Sequence, residues 1–251
     1  MPEGYYKDYS YIYDRIYNNK NYRKEFAFIH KIIKKNSPSG KLVLDLGCGT
    51  GSYTHHFLQK NYIVTGVDIS NSMISLAKKK LKGTKNVTFL VKDIRKLKLK
   101  KKFDIIVSLF DVISFLRYKN DANIFFKVIR SHLKKNGIAI FDFWNQSAIE
   151  KLKPAKREKK IKYRNLEILK KSDPIWFKKN GLIKVNYIIN VIKDKKKIIK
   201  KLKGHHFMKY YGTKNIEKLA KKNKLKVTKF LTLLNSKMRK NSWSVLAVVK
   251  G

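Results

Sequence analysis

Apolar and polar positions along the chain follow two periods. KLVLDLG (41–47), YIVTGVDIS (62–70), NVTFLVKD (86–93), FDIIVSLF (103–110) and IAIFDFW (138–144) are short, nearly continuous apolar runs, as expected of strands buried on both faces. Between them SYTHHFLQK (52–60), NSMISLAKKKLK (71–82) and DANIFFKVIRSHLKKNG (121–137) space their apolar residues for one helical face. Strand and helix in alternation predict parallel strands with helical crossovers, a doubly wound α/β sheet. Upstream, tyrosines sit among charges up to FAFIHKII (26–33), which predicts an amphipathic helix stopped by NSPSG (36–40).

Past Trp144 the rhythm changes. KYRNLEILKKSD, GLIKVNYIINVIKD and KKIIKKLKGHHFMKYY, spanning 162–211, read as successive strands with short turns and no long helix between them. An antiparallel lobe is the simplest arrangement. Alternation returns with TKNIEKLAKKN (213–223), KLKVTKFLTLL (224–234) and WSVLAVVK (243–250). The expected organisation is a core of residues 1–145 and 207–251, with an inserted lobe of residues 146–206.

Composition narrows the picture. A chain of 251 residues buries roughly 70–75% of its unfolded surface and needs no covalent staple. The single cysteine, Cys48, excludes a disulfide framework and a multi-cysteine metal site, and no metal is expected. No apolar run approaches the roughly 20 residues of a membrane span, and MPEGYYKDYSYIYD lacks the apolar core of a secretion signal. These features predict a soluble, cytoplasmic protein with no membrane partner. The net charge of +43 raises the question of weak nucleic-acid binding through lysines. Those lysines are spread along the whole chain, however, and only eight of the 60 basic residues are arginine, the better reader of phosphate. Compositional bias is favoured over a polyanion surface.

The scarce acids say more. Of the 17 Asp and Glu residues, Asp45, Asp68, Asp93 and Asp142 stand at strand ends, where open parallel sheets bind ligands. GCGTG (47–51) follows the first strand, and its glycines allow a tight turn and close approach of a ligand to the backbone. Its third glycine comes one residue too early for the dinucleotide fingerprint, and it lacks the lysine of a P-loop. Asp68, 17 residues after Gly51, can accept both hydroxyls of a ribose; alone, it can equally cap the next helix. Asp93 can accept from an adenine amino group. In register, the three features bracket a nucleoside.

VLDLGCGTG, GVDIS-x-x-M, the VKD strand, FDIIVSLF and LKKNGIAIFD together resemble the class I S-adenosylmethionine-dependent methyltransferases over most of residues 40–145. The resemblance implies a seven-stranded, Rossmann-like sheet whose last strand is antiparallel, and S-adenosylmethionine as cofactor. Under it, Gly47, Gly49 and Gly51 lie beneath the methionine moiety and ribose, with Asp45 and Cys48 in the same loop. Asp68 holds the ribose hydroxyls, Ile69 and Met73 pack beside the adenosine, Asp93 and Ile94 frame the adenine, and Leu109 and Phe110 follow the fourth strand beside the cofactor. Cys48 itself reads as a small packing residue.

Missing residues narrow the class. No Asn/Asp-Pro-Pro-aromatic motif follows the fourth strand, and the cysteine that attack on a cytosine ring needs is absent apart from Cys48, which lies inside the cofactor loop. GYYKDYSYIYDRIY, KNY (20–22), the IS-aromatic-L at 113–116, the FW at 143–144 and HHFMKYY (205–211) resemble the dTDP-amino-sugar N,N-dimethyltransferases, themselves similar to the glycine N-methyltransferase group. This implies that Tyr22 approaches the cofactor carboxylate, Tyr5 and Tyr6 close over the pocket, and Trp144 lines the acceptor site. Where those enzymes carry a histidine beside the acceptor amine, this chain has Phe115. His206 is read either as a lobe-packing or as an acceptor-site residue, and Asp111 either as a substrate contact or as a helix cap. No catalytic base is assigned. The expected activity is methylation of an amine or hydroxyl on a small-molecule acceptor, with an RNA-modifying enzyme or a non-catalytic cofactor-binding scaffold as alternatives. A homodimer stands beside a monomer as an option.

Overall fold

In the computed structural model, the described backbone covers residues 3–36, 38, 40–194, 197–235 and 237–251, with side chains from residue 9 onward. Two helices come first, α1 (Glu3–Ile16) and α2 (Tyr22–Asn36), where the sequence predicted one. They are separated by YNNKN (17–21), and Asn21 starts α2 by accepting from Lys24 N at 2.9 Å. Phe26, Ile29 and Ile33 of α2 then fall on one buried face.

The strands β1 (Leu42–Leu46), β2 (Ile63–Asp68), β3 (Val87–Val91), β4 (Phe103–Ser108) and β5 (Leu133–Asn145) lie in the order 3-2-1-4-5, all parallel. The helices α3 (Ser52–Leu58), α4 (Asn71–Lys80) and α5 (Asp121–His132) connect them. α5 ends five residues before the predicted Gly137. His132 sits at its end, its Nε2 accepting from Leu99 N at 3.0 Å, and Leu133 is already extended.

After a short helix α6 (Gln146–Leu152) come β6 (Arg157–Tyr163), β7 (Leu166–Phe177), β8 (Leu182–Lys193) and β9 (Lys197–Tyr211), an antiparallel meander. KYRNLEILKKSD is therefore two strands rather than one, broken where Arg164 adopts φ 53°. β9 continues beyond residue 206 and pairs with the end of β5 through Trp144–Tyr210 and Asn145–Tyr211. Next come α7 (Thr213–Lys222), β10 (Lys226–Leu231) and β11 (Ser244–Lys250). β11 is antiparallel to both β5 and β10. The core sheet thus has the expected seven strands, 3-2-1-4-5-11-10, with the last in sequence antiparallel.

One apolar cluster under α5 and α7 gathers Phe103, Phe125, Phe126, Phe141 and Phe143; another under α2 and α3 gathers Ile29, Ile33, Val43, Phe57 and Ile105. Because the sheet is covered on both faces, its open edge for chemistry is the carboxyl end of the strands. A third cluster places Ile12 and Ile16 of α1 against Ile161, Ile168, Tyr187, Ile189 and Val191 of the lobe. α1 is thereby held across the carboxyl ends, between lobe and core.

Candidate active site

The loop after β1 turns sharply because Gly47, Gly49 and Gly51 all have left-handed backbones, with φ 77°, 54° and 76°. Gly47 N and Cys48 N both donate to Val67 O, at 2.7 and 3.1 Å, tying the loop to β2. A Cβ on Gly47 would stand 2.6 Å from Val112, whereas one on Gly49 would meet nothing within 4 Å. The space over Gly49 is open to a ligand. Cys48 packs against Ile74, Ala77, Leu81 and Phe89, and burial pushes its thiol pKa up. It supports the loop from behind, as its reading as a packing residue predicted.

Asp68, at the end of β2, accepts from Gly49 N and Ser70 N, both at 2.9 Å, one on each oxygen. Ile69 N–H donates to it as well, and of the four lone-pair sites of a carboxylate one is left for a ligand, so Asp68 can bridge loop and ligand at once. It is not the helix cap that the sequence left open: Ser70 caps α4 by accepting from Met73 N. Ile69 beside it is 53% exposed, while Met73 and Ile94 are buried. Asp93 ends β3 but is largely committed to Arg95, accepting from its backbone N at 2.9 Å and from Nη2 at 2.6 Å. The Arg95 contacts hold the Asp93 pKa below the usual range.

Asp45 lies inside β1, 2% exposed. Burial raises its pKa to about 7 against the bond from Thr54 Oγ1 at 2.7 Å. Behind β4, Leu109 is buried, and Phe110 and Asp111 take left-handed backbones with φ 75° and 60°. A non-glycine residue there is strained. Asp142 of β5 holds both in place by accepting from Phe110 N at 3.1 Å and Asp111 N at 2.7 Å. The Asp111 carboxylate accepts from Ser244 Oγ at 2.7 Å and from the Trp144 side chain. Burial raises Asp111 to about 6, and burial with repulsion from Asp111 raises Asp142 further. Asp111 is thus wedged between the core and the wall formed by Trp144, which itself meets Trp243 edge-on at 5.5 Å.

Lys20, unforeseen from the sequence, is the counter-charge. Its Nζ lies 2.6 Å from Glu25 Oε1 and 4.8 Å from the Phe110 ring centroid. Glu25 also accepts from the Tyr53 hydroxyl, and Tyr22 stands edge-on to Tyr53 at 5.2 Å and bonds Ser52. A buried carboxylate beside the apolar face of α2 was the available signal for this group. α1 closes over the loop: Asp14 accepts from Thr50 Oγ1 at 2.6 Å and pairs with Lys80 at 2.7 Å. Tyr17 meets Phe110 edge-on at 4.9 Å. Tyr5 and Tyr6 fall in the first turns of α1, and their side chains lie outside the described residues.

On the lobe side Phe115, 43% exposed, faces His206 of β9 at 5.4 Å, and His206 faces Tyr187 at 5.8 Å. Burial, with Lys170 and His205 nearby, lowers the His206 pKa to about 4. A neutral imidazole therefore stands beside the position where the amino-sugar enzymes were expected to carry theirs. The structure thus gathers the glycine loop, Asp68, Leu109, Phe110, Asp111, Trp144, Phe115 and His206 along one edge. Asp45 and Cys48 sit behind that edge.

Residues 43–137 match the model of a family described as a methyltransferase domain. Over that segment the chain is similar to methyltransferase domains. The matched segment runs from β1 through the start of β5 and includes the glycine loop, Asp68 and Asp111. A putative methyltransferase of Bacillus subtilis, YqeM, is 31% identical over 150 residues, 59% of each chain. A dTDP-3-amino-3,4,6-trideoxy-alpha-D-glucopyranose N,N-dimethyltransferase of Streptomyces venezuelae is 27% identical over 139 residues, 55% of this chain and 57% of that one. The chain thus spans less than two thirds of the length of these relatives. A solved S-adenosylmethionine-dependent methyltransferase from Clostridium acetobutylicum superposes with a TM-score of 0.83 at 24% identity, covering 98% of both chains. The likeness covers the lobe as well as the matched segment, so the whole fold is shared with that enzyme.

Proposed function

We propose that this protein transfers a methyl group from S-adenosylmethionine to an amine or hydroxyl of a small-molecule acceptor. The observation that carries the reading is the open space over Gly49, bordered by the Asp68 carboxylate and free of any Cβ. A nucleoside fits such a cradle: Asp68 would hold the ribose through its remaining lone pair, and the left-handed glycines would let the ligand approach the backbone. Ile69 and Met73 would flank the base. Asp93 has less capacity for an adenine amino group because Arg95 takes most of its lone pairs.

When bound, S-adenosylmethionine supplies a methyl group already activated on a sulfonium. The chain's own residues then have positioning to do. Burial raises the pKa of Asp45, Asp111 and Asp142, so these carboxyls shape the edge by hydrogen bonding rather than by negative charge. Asp142 fixes the Phe110–Asp111 backbone, and Tyr13 and Tyr17 pack on Phe110. Trp144, Phe115 and His206 would line the acceptor side, and α1 with the lobe would exclude water. Orienting two reactants in this way can supply roughly 7–11 kcal/mol of the barrier without a strong base. His206, kept uncharged, suits a hydrogen-bonding role toward the acceptor better than a proton sink. The acceptor class is supported by the inserted lobe over the cleft and by the amino-sugar relative.

The test is transfer of labelled methyl from S-adenosylmethionine into a cell extract separated into low-mass, protein and RNA pools. Label in the low-mass pool is expected. Label confined to RNA would make the lysines a working surface and overturn the acceptor class.

A further inference from the structure

The single helical turn Ile94–Lys96 after β3 carries a cation set between two carboxylates that it serves unequally. Arg95 grips Asp93 with two of its nitrogens: Nε lies 3.0 Å from both carboxylate oxygens, and Nη2 lies 2.6 Å from Oδ2. With the Arg95 backbone N–H on Oδ1 at 2.9 Å, these donors nearly fill the four lone-pair sites of that carboxylate. Asp93 stands two residues beyond Val91, the register partner of Asp68. A base amino group arriving beside a ribose held by Asp68 therefore meets an occupied acceptor.

Asp121, the first residue of α5, is the under-supplied partner. Its side chain is 8% exposed, and the one hydrogen bond its carboxylate accepts among the described residues comes from Tyr118 N at 3.1 Å. The third guanidinium nitrogen, Nη1, stands 3.6 Å from Asp121 Oδ2, too far for a hydrogen bond. A buried carboxylate supplied this sparsely gains from a closer cation. Closing that 3.6 Å gap by about 0.7 Å would bring Nη1 to the length of a charge-assisted bond. The guanidinium thus has a second acceptor within a small rotation of the first.

We infer that Arg95 is a specificity-determining residue with two seats: it occupies Asp93 while the base pocket is empty and passes to Asp121 when the adenine amino group takes its place. The inference rests on reading Gly49, Asp68 and Asp93 as the cofactor cradle. It adds to that reading the residue that decides whether the amino group is recognised. Both carboxylates stay partnered throughout. Asp93 exchanges the guanidinium for the amino group and keeps the Arg95 backbone N–H, while Asp121 gains a second donor. Because Asp121 also holds Tyr118 N, the exchange reaches the turn that leads from Phe115 into α5.

The experiment is calorimetric titration of the whole chain with S-adenosylhomocysteine and with its analogue bearing hydrogen in place of the 6-amino group. The ratio of the two dissociation constants isolates the amino group, because any general loss of affinity in a variant cancels. Wild type should favour the amino compound about tenfold, the worth of one charge-assisted bond. Asp121→Asn keeps an acceptor for Tyr118 N but removes the charge, and should bring the ratio close to one. Arg95→Ala, which leaves Asp93 open, should keep the wild-type ratio or raise it. A ratio unmoved by Asp121→Asn overturns the second seat. So does a ratio near one in wild type that rises in Arg95→Ala, which would make Arg95 a fixed block. A variant that still binds the 6-hydrogen compound is folded. Failure of the wild type to bind either compound would strike the nucleoside reading itself, and this inference with it.

Discussion

Alanine at Gly47 and at Gly49 should separate what the glycine loop needs for folding from what it needs for binding. Both residues have left-handed backbones, so each alanine carries a conformational cost of about 1–2 kcal/mol. At Gly49 nothing else is disturbed, because the new Cβ meets no atom within 4 Å. At Gly47 the Cβ would stand 2.6 and 2.7 Å from the two γ-methyls of Val112. That side chain is branched at Cβ and cannot retract, and overpacking of this kind adds about 1–3 kcal/mol. For a chain of this size each kcal/mol moves Tm by about 2–4 °C, so Gly47→Ala should melt about 2–12 °C below Gly49→Ala. Binding should depend differently on the two. Gly49→Ala places a methyl in the open space and should weaken S-adenosylmethionine at least tenfold while remaining folded. Differential scanning calorimetry and titration calorimetry on both variants and the wild type give the comparison. Wild-type affinity in Gly49→Ala, or equal melting of the two variants, would refute the assignment of open space to the ligand and crowding to Val112.

Other outcomes follow from the charges and the lid. Burial raises Asp45 to about 7, so the folded state holds its proton where the unfolded chain has lost it; the stability from this group is present below about pH 4 and is lost as pH rises toward 7. Urea midpoints should therefore fall less between pH 5 and pH 8 in Asp45→Asn than in wild type, and identical slopes would count against a buried, protonatable Asp45. His206, lowered to about 4, is uncharged when folded while the unfolded imidazole takes up a proton below about 6.5. Its contribution is lost as pH falls toward 4, and its ring resonances in NMR should show no titration above about pH 5.5; a midpoint near 6.5 would contradict its burial. Asp14 holds α1 to Thr50 and Lys80 through partly exposed contacts, which are worth at most about 1 kcal/mol. Asp14→Ala should accelerate amide exchange in residues 9–16 with little change in Tm, whereas unchanged exchange would show that α1 is held by its apolar face alone.

Much of the architecture was legible because buried parallel strands are near-continuous apolar runs, as in FDIIVSLF, and the crossover helices close on lysine-rich turns. GCGTG and Asp68 were legible for the same local reason: only glycines tolerate three left-handed turns so close together. What escaped the sequence depends on distant partners. Phe110 and Asp111 have no local signal for left-handed backbone; Asp142, 31 residues beyond Asp111, imposes it. Asp93 stood where an adenine contact was expected, yet Arg95 two residues later takes its carboxylate, a local pairing the sequence contained. Lys20 and Glu25 are brought to Phe110 and Tyr53 only by the turn into α2 and its packing. His206 could be packing or site by sequence, and only the pairing of β8 with β9 brings it to Phe115.

The most direct test of the central claim is titration of S-adenosylmethionine into wild type and Asp68→Asn. The amide has one accepting oxygen and replaces the other with a donating NH2, and loss of charge-assisted bonds of about 1.5–3 kcal/mol should weaken binding about 10–100-fold. One saturable site in the wild type, weakened to that degree in the variant, is the predicted result. Absence of binding to the wild type, or equal affinity in the two proteins, would contradict a nucleoside held between Gly49 and Asp68.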